Sequence, residues 1–381
     1  MSDTPQILCD DLRTKCHTRD VILKPLYEHR ALSPPCLGSL GPARFTDVHE
    51  FLRQQPLTQR VTFNSKKRPI VAFGDIHSDF LVLLTLLRMV GVIDDRAHWV
   101  GANTLVIFCG DLLDRHGRGF DNTGINPREE LDIIQYLEAL DYEANSHQGG
   151  VVCVVGNHEL GRVFSQAGFR TYTGTLQLAS WGGEDNMKRV FSPGGRMACY
   201  MAKRFPVMVR VANYVFMHGG PPRTSTRTLG QLNDIYRACL VMPGSTIDPE
   251  IHTIVWDTFF SSTGPGSVDR ATCSVDIDSI LRRLGVRNPR RGGLVIGHRA
   301  HKRLESFCGG KVWRLDLAMS EGFGKNRPIG GVVITERGCI VQTIEQLPRS
   351  DTLVVTTHDR RISTPPVVHH QPHIQQLHTH V

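Results

Sequence analysis

Five short apolar stretches punctuate the chain, and each is followed within two residues by a glycine. They are rich in β-branched residues, which predicts short buried β-strands. Two other segments, at 81–89 and 129–144, repeat their apolar residues at three- and four-residue steps and are predicted to be helices. Strands that alternate with helices predict an α/β protein. The predicted strands lie at 69–73, 104–108, 150–155, 214–217 and 293–296.

Polar residues that can bind metal ions follow every one of these predicted strands. In α/β sheets the functional residues gather at the carboxyl ends of the strands. Carboxylate, amide and imidazole groups are ligands that Mn, Fe and Zn accept. The sequence therefore predicts a metal centre built from five motifs: Gly74-Asp75-Ile76-His77, Gly110-Asp111-Leu112-Leu113-Asp114-Arg115, Gly156-Asn157-His158-Glu159, His218-Gly219-Gly220 and Gly297-His298.

The number and order of these ligands indicate two metal ions. Two divalent cations about 3.5–4 Å apart can hold a phosphoryl group and activate water. Asp111 lies in the middle of the ordered set, so we expect it to bridge the ions. His301 is an alternative to His298, which we favour because it directly follows its strand and glycine. The other expected ligands are Asp75 and His77 at the first ion, and Asn157, His218 and His298 at the second.

The motif series GDxH, GDxxDR, GNHE, HGG and GH resembles the calcineurin-like metallophosphoesterases, and within them the phosphoprotein phosphatase branch. The stretches 74–91, 99–106 and 310–320 resemble the bacterial-type Shewanella-like and Rhizobiales-like phosphatases. The resemblance covers roughly residues 62–344. It implies a calcineurin-like metallophosphoesterase fold, in which two mixed β-sheets pack as a central sandwich flanked by helices and the active site lies at strand carboxyl ends.

The resemblance also implies roles for residues outside the ligand set. His158 matches the general acid that protonates the leaving oxygen, and Asp114 matches the carboxylate that orients this histidine. Arg115 and Arg170 match arginines that bind the phosphate, where a planar guanidinium gives two-point contact. For Arg270 a structural role is favoured over phosphate binding.

Glu159 completes the GNHE motif, but we expect it to make a local structural hydrogen bond and take no part in catalysis. Ser78 stands where the family usually has glycine, and His116 stands where Arg115 is usually followed by glycine. Neither departure removes an expected ligand, and both are expected to alter the rim of the site.

The implied activity is that of a metal-dependent phosphomonoesterase acting on phosphorylated protein or peptide, with direct attack by a metal-bridging hydroxide. Mn is the favoured metal, with Fe or Zn as alternatives, and phosphotyrosine is not distinguished from phosphoserine or phosphothreonine. One alternative is a dinucleoside polyphosphate hydrolase, although such relatives typically carry asparagine at the position of Asp114. Another is a catalytically silent binding protein, but such proteins usually lose ligands that this sequence retains.

Composition sets the remaining limits. The 381 residues are 40% hydrophobic and 21% charged, as in ordinary globular proteins. No apolar run approaches the ~20 residues of a membrane span, and residues 1–30 are too polar for a secretory signal. The net charge of +7 is not clustered enough to indicate nucleic-acid binding. Neither a membrane nor a nucleic-acid partner is expected, and regulatory subunits are not indicated either way.

The cysteines and the ends of the chain complete these expectations. The ten cysteines include no CxxC pair, which favours reduced thiols and an intracellular, cytoplasmic setting. Residues 1–61 are expected to form an accessory segment, and residues 62–345 the catalytic domain. Residues 346–381 are polar and rich in proline and histidine, so we expect this tail to be disordered.

Overall fold

Two mixed β-sheets form the centre of the fold in a computed structural model of the protein. It describes residues 69–94, 96–115, 129–164, 181–262, 273, 276–324, 327–335, 340–346, 352–359 and 367–372. Strands of both sheets contribute side chains to one cluster of buried apolar residues, which makes the sheets a sandwich. The expected accessory segment, residues 1–61, lies outside the described residues.

Within the described residues the larger sheet has seven strands: β1 (Ile70–Phe73), β2 (Leu105–Phe108), β3 (Gly150–Cys153), β9 (Ile329–Thr335), β10 (Ile340–Gln346), β11 (Thr352–Asp359) and β12 (Val367–Pro372). Their order across the sheet is β12-β11-β10-β9-β1-β2-β3. The strands of the smaller sheet are β4 (Met208–Val211), β5 (Tyr214–Met217), β6 (Gly293–Ile296), β7 (Glu305–Phe307) and β8 (Val312–Arg314). Their order is β4-β5-β6-β8-β7.

The register of the parallel strands brings the ligand motifs together. Strands β1, β2 and β3 are adjacent, parallel and buried along their whole length. In the smaller sheet β5 and β6 are also parallel neighbours. Because the carboxyl ends of parallel strands meet at one edge of a sheet, the residues that follow them converge.

Helices surround these sheets, and the two that the sequence predicted are confirmed within two residues. They are α1 (Phe80–Met89) and α2 (Glu129–Ser146). Asp79 caps α1, where its carboxylate accepts a hydrogen bond from the Val82 N–H at 3.1 Å. The others are α3 (Asn157–Val163), α4 (Glu184–Phe191), α5 (Arg196–Arg204), α6 (Leu229–Val241), α7 (Pro249–Trp256) and α8 (Ile277–Arg283), with 3₁₀ turns at Pro289–Arg291 and Glu321–Phe323.

Strand β3 is two residues shorter than predicted. The N–H of Val154 still donates to Phe108, but that of Val155 donates to Pro206, just before β4 of the other sheet. The apolar run therefore continues while the backbone leaves the ladder, which hydrophobicity alone does not reveal.

The segment 346–381 differs from the expectation of disorder over two ranges. Strands β11 and β12 lie there and extend the larger sheet by antiparallel pairing, with Val355 opposite Ile344 of β10. Residues 352–357 include a run of β-branched side chains whose strand propensity outweighs the polar composition around them. The boundaries proposed for the three parts of the chain stay a prediction.

One pair of cysteines also differs from expectation. A disulfide joins Cys273 to Cys308, 35 residues apart in sequence, where reduced thiols were expected. Such a long separation gives no spacing pattern that a sequence reveals. Among the described residues, no helix is both long and apolar enough to cross a membrane.

Candidate active site

The backbone near the strand ends is unusual at four of the residues that were predicted to act. His77, Asp111, Asp114 and His298 have φ angles of 40°, 50°, 67° and 76°. This left-handed region is costly for residues with a Cβ atom, and such residues cluster at functional sites where the surroundings hold them. The fold therefore stores strain at the place where the motifs meet.

Two glycines of the motifs are required by close approach. A Cβ on Gly156 would lie 2.1 Å from Asp111 Oδ1, and a Cβ on Gly297 would lie 2.3 Å from Asp75 Oδ1. Each carboxylate thus packs directly against the backbone of another motif. These glycines let ligands from different strands share one centre.

Asp111 lies at that centre, with 2% of its surface exposed. Its Oδ2 atom is 3.7 Å from His77 Nε2, 3.7 Å from His158 Nε2 and 3.3 Å from His218 Nε2. Two groups of buried residues could each hold a metal ion, namely His77, Asp111 and His158, and Asp75, Asp111 and His218. Both groups contain Asp111, the arrangement that a bridging ligand requires. They differ from the two predicted ligand sets, because the first includes His158 and the second places Asp75 with His218.

Backbone carbonyls fix the orientation of two histidine rings. His77 Nδ1 lies 3.1 Å from the carbonyl oxygen of Asp114, and His218 Nδ1 lies 2.8 Å from that of Cys109. Because a carbonyl oxygen only accepts, Nδ1 donates a proton in each ring, and Nε2 is the nitrogen that faces Asp111. A second partner that sets the tautomer in this way is typical of metal-binding histidines.

Asn157, His218 and His298 also converge near Asp111. Asn157 Oδ1 is 2.7 Å from His218 Nε2 and 2.9 Å from His298 Nδ1, and these two nitrogens are 3.1 Å apart. Burial and the neighbouring His218 lower the pKa of His298 to about 3, which keeps its ring neutral. Neutral imidazole is the form that binds a metal.

The carboxylates of the site concentrate negative charge in a buried space. Burial and the charges of Asp316 and Asp111 raise the pKa of Asp75 well above its ordinary value. Burial and Asp111 similarly raise the pKa of Glu159 to about 7. Buried charges are costly unless they are paired or coordinate metals, so cations at Asp111 would relieve this repulsion. The donor atoms, their burial and their charge all fit divalent metal ions.

His158 and Asp114 form a hydrogen-bonded pair beside Asp111. His158 Nδ1 lies 2.7 Å from Asp114 Oδ2, so Nε2 is the nitrogen that faces the centre of the site. Burial by itself lowers the pKa of His158, but the charge of Asp111 and the hydrogen bond to Asp114 outweigh this effect and raise it. This geometry suits a histidine that donates a proton from Nε2.

Of the arginines considered for phosphate binding, the structure describes Arg115. Arg115 Nη1 donates to Glu129 at 2.9 Å, while Nη2 lies 3.4 Å from Glu321 and 3.6 Å from Asp79. The structure therefore holds this guanidinium among carboxylates at the edge of the site, and its contact with phosphate stays a prediction. Arg170 and Arg270 lie outside the described residues.

Glu159 makes the structural contacts that the sequence suggested. Its carboxylate accepts hydrogen bonds from the backbone N–H groups of Asp111, Leu113 and Gly156 at 3.1, 2.8 and 2.7 Å. These bonds tie the GDxxDR and GNHE motifs together. His301 belongs to neither group of possible metal ligands, and its N–H donates to the carbonyl oxygen of Asp316 at 2.8 Å.

Sequence reasoning missed two charged residues behind the site, Glu130 and Arg162. The two residues form a buried ion pair with each other. Arg162 Nη2 also lies 3.7 Å from Asp114 Oδ1. Neither belongs to a recognised motif, and each occupies a helix position where exposed charge is common. The sequence carries no signal that would have identified them.

The fold and the site match a known family. The family model described as calcineurin-like phosphoesterase matches residues 68–306, which is more than half of the chain. The protein therefore belongs to the calcineurin-like phosphoesterase family, as the motif series suggested.

Individual relatives narrow the similarity further. The chain is 25% identical over 327 residues to Shewanella-like protein phosphatase 2 of Arabidopsis thaliana, covering 73% of this chain and 79% of the relative. It is also 25% identical over 265 residues to Shewanella-like protein phosphatase 1 of Plasmodium berghei, covering 66% and 67%. The fold is shared with a cold-active protein-tyrosine phosphatase from a psychrophilic Shewanella species, whose crystal structure superposes with a TM-score of 0.56. The two chains are 19% identical, and the match covers 76% of this chain and 82% of that one.

Proposed function

We propose that this protein is a phosphoprotein phosphatase that uses two divalent metal ions to hydrolyse phosphate monoesters. One observation carries the proposal: Asp111 is common to two groups of possible metal ligands, and the hydrogen-bonded pair of His158 and Asp114 lies beside it. The names of the two Shewanella-like relatives support phosphorylated protein as the substrate class.

Each ligand has a place in this proposal. One ion would be held by Asp75, His77 and Asp111, and the other by Asp111, Asn157, His218 and His298. Mn is the metal that we propose first. Two such ions, when bound, polarise a phosphoryl group and lower the pKa of water.

The residues beside the ligands would handle the proton of the leaving group. Since His158 Nδ1 is bonded to Asp114, its Nε2 atom carries the proton that passes to the departing oxygen. Asp114 fixes the ring and stabilises its charged form. Because an alkoxide is a poor leaving group, a positioned acid of this kind contributes about a hundred- to ten-thousandfold to the rate.

The same pair distinguishes the alternative function. A dinucleoside polyphosphate hydrolase on this scaffold typically has asparagine in place of Asp114, which could not support a protonated His158 by its charge. The carboxylate at 2.7 Å therefore favours cleavage of monoesters.

The test is hydrolysis by the purified protein, first stripped with a chelator and then reloaded with Mn. Substrates are a phosphotyrosine peptide, a phosphothreonine peptide and a dinucleoside polyphosphate, and released phosphate or nucleotide is measured. We expect metal-dependent release of phosphate from at least one peptide. His147→Asn is the control variant, because His147 is exposed beyond the end of α2. Cleavage of the dinucleoside polyphosphate alone would replace the proposal with the alternative.

A further inference from the structure

A buried network lies behind the pair of His158 and Asp114, and Glu130 is its centre. Glu130 lies in the first turn of α2 and is fully buried. Its Oε1 atom accepts a hydrogen bond from the backbone N–H of Asp114, and its Oε2 atom accepts one from the indole of Trp181, both at 2.8 Å. A carboxylate in such a place is stable only with a counter-charge.

Arg162, in the last turn of α3, supplies this counter-charge. Its side chain is 6% exposed, and its two terminal nitrogens donate to the two oxygens of Glu130 at 2.5 Å each. The guanidinium carbon also lies 5.7 Å from the centre of the Phe191 ring. A two-point contact between planar groups fixes direction as well as distance, which the single ammonium of a lysine cannot do.

Asp114 is consequently held on every side. Its N–H donates to Glu130, its carbonyl oxygen lies 3.1 Å from His77 Nδ1, and its two carboxylate oxygens face His158 and Arg162. Its φ of 67° is one that a residue with a Cβ atom keeps only where its surroundings impose it. The orientation of the carboxylate toward His158 therefore depends on these neighbours.

We propose that Arg162, acting through Glu130 and Asp114, is a positioning residue that holds His158 in the orientation required of a general acid. It has no need to touch the substrate. The inference rests on the proposed phosphomonoesterase activity, and it makes α2 and α3 part of the catalytic apparatus.

Arg162→Lys tests this proposal, because it keeps the charge and removes the two-point contact. A misplacement of about 1 Å can cost about a hundredfold in rate. We expect kcat to fall roughly ten- to a hundredfold for an alkyl phosphate, with KM little changed and a smaller loss for an aryl phosphate with a good leaving group. In a His158→Asn background the same substitution should cause little further loss, since the residue that it positions is gone.

Arg204→Lys is the matched control. Arg204, on α5, also binds α2, through Glu138 at 3.0 Å and Asp141 at 2.6 Å, and it is not part of the site. The Arg204→Lys substitution should leave kcat unchanged. A second measurement does not depend on activity: the low-field proton resonance of His158 Nδ1–H, assigned by its loss in His158→Asn, should move in Arg162→Lys and stay in Arg204→Lys.

Two results would overturn the inference. An equal loss for alkyl and aryl phosphates, or an equal loss with and without His158, would mean that Arg162 supports only the fold. Absence of hydrolysis by the wild-type protein would instead refute the proposed function, and the histidine resonance would still decide whether Arg162 positions His158.

Discussion

Gly156→Ala is the substitution whose effect the structure predicts most directly. Gly156 lies between β3 and α3 with φ −106° and ψ −177°, an extended conformation open to any residue. A Cβ there would nevertheless lie 2.1 Å from Asp111 Oδ1 and 2.3 Å from the Asp111 backbone nitrogen. The obstacle to a methyl group is therefore contact with the proposed bridging ligand and not backbone strain.

The size of the effect follows from these distances. Ordinary van der Waals contact begins at 3.4 Å, so the methyl group and the Asp111 carboxylate must separate by a further 1.3 Å. Overpacking of this kind typically costs about 1–3 kcal/mol of stability. Displacement of a reacting group by about 1 Å can cost about a hundredfold in rate. We expect Gly156→Ala to bind less metal and to lose at least about a hundredfold in kcat/KM on a phosphopeptide.

Gly230→Ala is the matched control. Gly230 lies in α6, and the nearest atom to a Cβ there is Thr228 Oγ1 at 3.9 Å. Alanine in a helix is favoured over glycine by about 0.5–1 kcal/mol, so this variant should be fully active and no less stable. Metal content by elemental analysis, thermal unfolding and kcat/KM are measured for both variants. Wild-type metal content and activity in Gly156→Ala would refute the reasoning.

Three further predictions concern single features. Asp111→Asn should lower the content of both metal ions and abolish turnover, because Asp111 belongs to both ligand groups; two retained equivalents with full activity would remove it from the bridge. His158→Asn should keep its metal and lose about a hundred- to ten-thousandfold in kcat, most for poor leaving groups; equal losses for all leaving groups would contradict the acid role. Truncation after residue 350 removes β11 and exposes the edge of β10. It should therefore lower the midpoint of thermal unfolding and promote aggregation, while kcat stays unchanged. An unchanged midpoint and solubility would show that this pairing contributes nothing.

The convergence of the proposed ligands was predictable because each of them follows a short apolar strand. Strand pattern and residue type together placed Asp75, Asp111 and Asn157 at the carboxyl ends of three adjacent parallel strands, where the structure has them. The choice of His298 over His301 rested on the same reasoning, since only His298 directly follows β6 and its glycine. Local sequence rules sufficed to bring these residues together because they lie at strand ends, and their role as metal ligands stays a prediction.

Other features depend on contacts that no local pattern encodes. Arg115 occupies a motif position, yet its observed partners lie up to 206 residues away in sequence. In the sequence, Glu130 and Arg162 look like the exposed charged residues that are common on helices, but tertiary packing buries them together. The polar composition of the tail did not reveal its strands, because pairing with β10 determines whether this segment forms a strand and its average polarity does not.

The division of the proposed ligands between the two sheets has a consequence for folding. Asp75, Asp111 and Asn157 follow strands of the larger sheet, whereas His218 and His298 follow strands of the smaller one. An ion that takes ligands from both would cross-link the halves of the sandwich without a covalent bond. Occupancy of the metal site and unfolding of the protein would then be thermodynamically linked, so that the apparent stability of the fold rises with the concentration of free metal. Loss of metal in such a protein would loosen the sandwich as well as stop the chemistry.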